Sequence, residues 1–399
     1  MYLRNGDKME LVVDPEFQEV GHRQVYINPL GLQLPGAAIS SCLKFQFVQS
    51  TWIIIMSPPK SSLPVVLGVM TIGNAGMEGV RVSELDEANK MLDVFQAHGR
   101  NEIDTARLYG GGSSEEYMAK ANWQARNLVM DTKLYPNEGK GMKMGSNVYS
   151  HRPEDVRRGL MESLKALNTT KIDMWYLHGP DRKTPLEDTL REVNKLHQEG
   201  YFNRFGISNY MSWEVAAICE ICSSHGWIRP VVYQGSYNAL HRAIEPELMP
   251  CLRHYGIALY AYQPLAGGFL TSRYRRNMGE NDYEPGSRFD PHRWQGQLHQ
   301  GMYMNDFYFD ALDIIRPVAS KHGLTEAECA FRWLLHHSAM KKEDGDKIII
   351  GASSAKQLEK NLVDLEKGPL PQDVVEALDA AWLRVKGVAP KYFLRVYIN

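Results

Sequence analysis

From residue 63 onward the chain repeats one rhythm: a short β-branched or apolar run, a polar or glycine-bearing loop, then a stretch with helical apolar spacing. The runs cover residues 65–69, 101–104, 128–132, 172–177, 204–207, 231–234, 258–262 and 347–350. The helices between them carry their own punctuation. Pro153-Glu154-Asp155 places proline and acids where a first helical turn favours them, and Val156, Leu160, Leu164 and Leu167 then form one apolar stripe. Leu186, Leu190, Val193 and Leu196 repeat the pattern after Pro185, and Gly200 ends it. Eight strands alternating with helices over about 330 residues predict a closed (β/α)8 TIM barrel, an α/β fold, rather than an open doubly wound sheet. An open dinucleotide-binding sheet would carry a glycine fingerprint after its first strand, and Leu67-Gly68-Val69-Met70-Thr71-Ile72-Gly73 is not one.

The 399 residues accommodate one barrel domain over 63–399 and leave 1–62 as an N-terminal extension. In the extension the apolar residues are scattered without period, and Ser57-Pro58-Pro59-Lys60-Ser61-Ser62 closes it. Three readings of this segment stand: a poorly ordered arm, a short strand pair plugging one end of the barrel, or a gene-model artefact with the natural start at Met56. Lys plus Arg number 45 against 47 Asp plus Glu, a formal net charge of −2, so neither nucleic acid nor an anionic membrane is an expected partner. A hydrophobic fraction of 44% with 23% charged residues excludes a mainly disordered, collagen-like or coiled-coil chain. Five cysteines without framework spacing point to a reducing compartment. The longest strongly apolar run near the start, 52–56, is too short for a signal-peptide core or a spanning helix, and a cytoplasmic protein is expected. Cys219 and Cys222 form a C-x-x-C pair, but with Val215 and Ile218 they recur at helical spacing and read as a buried helix face.

In a barrel of this kind reactive groups gather where strands end and the following loops begin. The second run ends at Asp104, with Tyr109 five residues on; the third leads to Lys133, the fourth to His178, the fifth to Ser208 and Asn209, the sixth to Gln234. Each alone has a bland reading, as a helix cap, a solvated lysine or a hydrogen-bonded core histidine. Together they make a chemical set. An Asp–Lys ion pair in the barrel mouth would pull down the pKa of a neighbouring tyrosine, and such a tyrosine within reach of a histidine is a general acid for a carbonyl oxygen becoming an alkoxide.

At these residues the chain resembles a known family. Asn101-Glu102-Ile103-Asp104-Thr105-Ala106-Arg107-Leu108-Tyr109-Gly110 is similar to the aldo-keto reductase signature, and Thr132-Lys133-Leu134 and Tyr176-Leu177-His178-Gly179-Pro180-Asp181 match its next two motifs. Gly206-Ile207-Ser208-Asn209-Tyr210, Val232-Tyr233-Gln234-Gly235-Ser236-Tyr237-Asn238, Pro264-Leu265-Ala266-Gly267-Gly268-Phe269-Leu270-Thr271 and Gly351-Ala352-Ser353-Ser354 resemble the aflatoxin aldehyde reductase branch. The resemblance covers about residues 63 to 399 and omits the extension.

That resemblance implies NADPH-dependent reduction of small-molecule aldehydes or ketones without a metal, in detoxification or secondary metabolism, by a homodimer. It makes Tyr109 the proton donor, with Lys133 lowering its pKa, Asp104 holding Lys133 and His178 orienting the carbonyl. It puts Ser208, Asn209 and Gln234 on the nicotinamide amide and Tyr262 under the ring. Gln263, Pro264, Leu265, Ala266, Gly267, Gly268, Arg273, Arg288, Gly351, Ser353, Ser354, Gln357, Glu359 and Asn361 are assigned to the diphosphate, ribose and adenine end, in keeping with phosphate binding by the last two βα loops of such barrels. Arg288, Lys356, Ser353 and Ser354 are the expected partners of a 2′-phosphate. The chain departs from the branch after Gly286-Ser287-Arg288-Phe289, where His299 and Met302 replace a Tyr and an Arg that bind an acidic substrate. With no Arg there, a larger or more neutral carbonyl compound is favoured.

Other matches are weaker. Gly110-Gly111-Gly112-Ser113 lacks the Lys of a phosphate loop and reads as a turn behind Tyr109. His336-His337 are adjacent and share no metal-facing side of a helix. Two competing readings remain: a cofactor-binding regulatory module like the potassium-channel β-subunits of the same superfamily, and a Schiff-base enzyme using Lys133 as nucleophile.

Overall fold

The computed structural model describes residues 63–139 and 147–393, together with the backbone of five short strands before them. The chain divides into two compact units, Met1–Lys60 and Ser61–Asn399. In the first, β1 (Tyr2–Asn5) pairs antiparallel with β2 (Lys8–Leu11), and β5 (Thr51–Met56) lies between β3 (Gln24–Ile27) and β4 (Leu43–Val48). The readings of this segment as a disordered arm, a plug or an artefact lie outside the described residues.

The second unit is a closed barrel of eight parallel strands: β6 (Val65–Gly68), β7 (Glu102–Asp104), β8 (Val129–Leu134), β9 (Ile172–Leu177), β10 (Phe202–Ser208), β11 (Val232–Ser236), β12 (Ala258–Tyr262) and β13 (Lys347–Ile350). β13 pairs back onto β6 through Ile350 and Leu67, which closes the sheet. All eight expected runs are strands. One boundary matters: β8 continues to Leu134, so Lys133 lies within the strand and its side chain enters the barrel instead of a loop.

The helices cover the outside as their apolar stripes require. In α3 (Pro153–Ala166) the residues Val156, Leu160 and Leu164 are buried, with Leu167 at its C-cap. In α4 (Leu186–Gln198) Leu190, Val193 and Leu196 are buried, and Gly200 beyond its end takes a φ of 87°. Cys219 and Cys222 are free thiols buried on α5 (Ser212–His225), and burial pushes both up to about 12, as a structural helix face demands. Between β12 and β13 three helices intervene: α7 (Trp294–Tyr303), α8 (Asp306–Lys321) and α9 (Glu326–His336); α10 (Ala355–Leu365) follows β13.

Among the described residues two main cores result. The larger lies between sheet and helices; the smaller fills the barrel with Val66, Met174, Tyr176, Val232, Ala258, Tyr260 and Ile349. Below this apolar layer an ion cluster closes the N-terminal end: Arg204 bonds Asp173 at 2.7 Å and Tyr260 at 3.2 Å, and Lys347 bonds Glu102. Above it the strand ends open into the cavity described next.

Candidate active site

Asp104 ends β7 and Lys133 lies one strand away on β8. The Lys133 Nζ donates to Asp104 Oδ1 and to the Thr105 carbonyl, both at 2.5 Å, and Gln234 Nε2 donates to Asp104 Oδ2 at 2.6 Å. Lys133 is 0% exposed, so this pair sits in a low-dielectric interior where each charge needs the other. Burial pulls the Lys133 ammonium down, but Asp104 and Tyr109 outweigh it and its pKa rises; burial likewise raises Asp104 despite Lys133. The result is a fixed cation under the cavity floor.

Tyr109 is placed over that cation by the glycine turn read from the sequence. Gly110, Gly111 and Gly112 all take positive φ, at 58°, 65° and 100°, and a Cβ at Gly112 would overlap the Arg107 guanidinium. The chain therefore doubles back and leaves the Tyr109 ring with Lys133 Nζ 4.9 Å from its centroid. Here one expectation is corrected. Burial raises the Tyr109 pKa more than Lys133 lowers it, so the phenol is held in its proton-bearing form.

His178 follows β9, its backbone N–H donating to the Leu134 carbonyl at 2.8 Å. Its ring stands edge-on to Tyr109 at 5.7 Å and to Tyr135 at 5.6 Å between centroids. Burial and the Lys133 charge push it well below the ordinary histidine range, so the ring is neutral. Its Nδ1 has no hydrogen-bond partner among the described residues.

These groups meet at one end of a cavity of about 370 Å³, which Asp104, Tyr109, His178 and Gln234 line. The cavity continues past Tyr262, Gln263, Pro264, Leu265, Gly267 and Gly268 to Arg273 and Arg288, and reaches Gly351, Ser353 and Gln357 at the start of α10. The remaining assigned residues do not line it. Asn209, at φ 67°, donates from Nδ2 to the His178 carbonyl at 3.0 Å and to Ser208 Oγ at 2.9 Å, while its Oδ1 accepts from Tyr262 OH at 2.8 Å. It thus braces both the histidine loop and the Tyr262 ring. Ala266 is fully buried; Ser354 caps α10 by accepting from the Gln357 N–H at 3.2 Å. Glu359 turns instead to His98, 3.2 Å away, and Asn361 is buried, its Nδ2 without a hydrogen-bond partner among the described residues.

Three placements correct the sequence reading. Arg288, expected at a 2′-phosphate, sits near enough to Tyr109, Tyr303 and His299 to act on each electrostatically, with Met70 Sδ at 3.7 Å. In the loop that carries it, Glu284 pairs with Arg81 and, at 2.6 Å, with Arg273, both of which line the cavity. Gln234 has its amide N–H committed to Asp104, as well as facing the cavity. Met302 is absent from the cavity wall and packs on the large core, because α7 presents Trp294, Gln295, Leu298 and His299 to the cavity and carries Met302 one turn beyond. His299 does line the cavity; burial and Arg288 push it down to about 4, and its Nδ1 lies 2.8 Å from the Gln295 carbonyl.

Several lining residues escaped the sequence reading: Met70, Arg81, Leu108, Trp294 and Leu298. Leu108, Tyr135 and Trp294 form a small apolar cluster of their own. Met70 and Tyr135 stood just beyond β6 and β8, where the strand-end rule applied to the other runs would have found them.

No group of three or more His, Cys, Asp or Glu suited to a metal ion exists among the described residues, and no described helix is long and apolar enough to cross a membrane. The model of the aldo/keto reductase family matches residues 64–383. The chain is 52% identical over 336 residues to an aldo-keto reductase, pigE, of Monascus ruber, covering 84% of this chain and 98% of that one. It is 40% identical over 336 residues to aflatoxin B1 aldehyde reductase member 2 of Mus musculus, covering 82% and 87%. An oxidoreductase of Leptosphaeria maculans, sirO, is 35% identical over 311 residues, 78% of this chain and 90% of that one. With a family match over most of the barrel and relatives covered almost end to end, the chain belongs to the aldo/keto reductase family and is an oxidoreductase.

Proposed function

We propose that the protein reduces aldehydes and ketones to alcohols with NADPH, Tyr109 serving as the general acid. The observation that carries this reading is the convergence of a proton-bearing Tyr109, a buried Lys133–Asp104 pair and a neutral His178 on one end of a single cavity. Neutral His178 is suited to orient the carbonyl oxygen by hydrogen bonding without contributing a charge. Tyr109 gives its proton to that oxygen, and the phenolate left behind is stabilised by Lys133, whose own charge is held by Asp104.

The family generally uses a nicotinamide cofactor, and the residues present suit one. Arg288 stands in the cavity wall with no carboxylate at ion-pair distance among the described residues, which fits an anionic ligand. The Tyr262 ring is fixed through Asn209, and the Ser353–Gln357 turn opens α10 toward the far end of the cavity. When bound, the reduced nicotinamide supplies the hydride. The preference for the phosphorylated dinucleotide rests on the general positive character that Arg273 and Arg288 give the cavity wall, and not on Arg288 standing at the 2′-phosphate. Met70, Leu108, Trp294 and Leu298 give the substrate end an apolar wall, which supports a large, neutral carbonyl compound over a small acidic one.

The test is NADPH consumption by the purified chain with aromatic aldehydes, dialdehydes and succinic semialdehyde. Turnover is expected on the apolar members, and Tyr109→Phe is expected to lower kcat by about 10²- to 10⁴-fold with cofactor binding retained. Tight NADPH binding with no turnover on any carbonyl would instead favour the cofactor-binding regulatory module.

A further inference from the structure

One buried carboxylate inside the barrel has no part in the site as described. On β8, Asp131 and Lys133 are two residues apart and share the inward face of the strand, while Thr132 between them points outward and donates to Glu115 at 2.6 Å. In the sheet register Asp131 stands directly beside Asp104, and Lys133 directly beside Tyr176. Two carboxylates therefore stand side by side in the interior, with one ammonium a single inward step above them. Lys133 bonds Asp104 and leaves Asp131 aside. Asp131 is 0% exposed, and neither of its oxygens has a hydrogen-bond partner among the described residues. The Tyr176 hydroxyl, also buried, faces the same interior beside Gln234. The nearest cation, Arg204 at 4.0 Å, is engaged by Asp173, Glu102 and Tyr260.

An ionised carboxylate enclosed without donors is strongly disfavoured, and two neighbouring carboxylates do not both ionise when only one has a counter-ion. Asp104, with Lys133 and Gln234 as donors, takes the charge; Asp131 takes the proton. We infer that Asp131, held as the uncharged acid, is a further positioning residue for the reduction, keeping Asp104 the only negative charge set against Lys133 so that Lys133 can stabilise the Tyr109 phenolate. This rests on the reductase reading above. The groups that face Asp131 are Glu102 and Asp104 on β7, Lys133 on its own strand, Asp173 and Tyr176 on β9, and Arg204 on β10. Three of the six, Glu102, Asp104 and Asp173, are carboxylates that oppose its ionisation, and burial acts in the same sense. Once pH rises far enough to ionise Asp131, a second negative charge beneath Lys133 opposes phenolate formation and proton transfer slows.

The experiment reads the proton directly and then its consequence. Infrared spectra of the full chain labelled with ¹³C-aspartate are expected to contain the C=O stretch of a buried carboxylic acid at neutral pH, absent from Asp131→Asn. With NADPH saturating, log kcat/KM for a turned-over aldehyde is expected to carry one more ionisation in its descending limb in the wild-type chain than in Asp131→Asn. A wild-type chain without the acid band overturns the inference, as do superimposable pH profiles. The band is measured on the wild-type chain, so a variant that fails to fold leaves the decision intact. Absence of turnover on every carbonyl would sink the reductase reading, while the band still reports whether Asp131 keeps its proton.

Discussion

Lys133 has no exposed surface, which makes Asp104 its decisive partner: the pair is bonded at 2.5 Å with no other carboxylate bonded to the ammonium among the described residues. Removing one member of such a buried pair costs about 3–5 kcal/mol, because the other is left charged and uncompensated. Asp104→Asn is therefore expected to lower the urea midpoint sharply, and Asp104→Asn combined with Lys133→Met is expected to recover much of that loss while turnover stays absent. If the double variant were no more stable than the single one, the loss would lie elsewhere than in the unpaired charge. Much of this chemistry is legible in the sequence, since Asp104, Lys133, His178 and Gln234 stand at or just past the ends of apolar runs and Tyr109 follows Asp104 by five residues. What could not be read was the direction of the Tyr109 pKa. Lys133 acts in the anticipated sense, but the extent of burial, which only folding sets, outweighs it.

At the scale of elements, strand register decides which side chains meet. Gly206 on β10 lies directly beside Tyr176 on β9, and a Cβ there would overlap the tyrosine ring. Gly206→Ala is expected to destabilise the barrel by about 1–3 kcal/mol, the usual cost of overpacking, as measured by urea denaturation. Because Tyr176 also borders Asp131 and Lys133, the same change should disturb kcat more than cofactor affinity. A strand's identity was plain in its β-branched run, yet its exact end was less so. The two-residue extension of β8 to Leu134 carries Lys133 into the barrel, where its ion pair with Asp104 offsets the burial that a lysine would otherwise avoid. For α7 the reverse holds: His299 and Met302 are three apart and share a helical face, but the cavity ends before Met302. Helical spacing says which residues share a face and not how far along the helix a cavity runs.

For the whole molecule, the barrel encloses histidines that remain neutral, and this ties its stability to pH. His299 is pushed down to about 4 in the folded chain, against about 6.5 when unfolded. The unfolded state thus takes up a proton first, and stability is lost as pH falls from about 6.5 toward 4; His178, also lowered by burial, adds to the same trend. Between pH 7 and pH 5 the His299 contribution is about 2 kcal/mol, to be measured by urea denaturation at the two values. His299→Gln is expected to flatten that dependence, and an unchanged slope would place the sensitivity on another group.

The architecture was written in local alternation: apolar runs of strand length, helical stripes and the prolines and glycines that bound them are properties of neighbours in the chain, so eight strands and a closed barrel followed from counting. The rim residues followed for the same reason, since a strand end is a local feature. Their relations did not. That Arg288 faces Tyr109, that Glu359 pairs with His98 across 261 residues of chain and that Asp131 stands unpartnered beside Asp104 depend on register and loop packing between distant segments. Short-range patterns carry the type and limits of each element. The distances that set charge, proton and partner arise only when the sheet closes and brings the strands into contact.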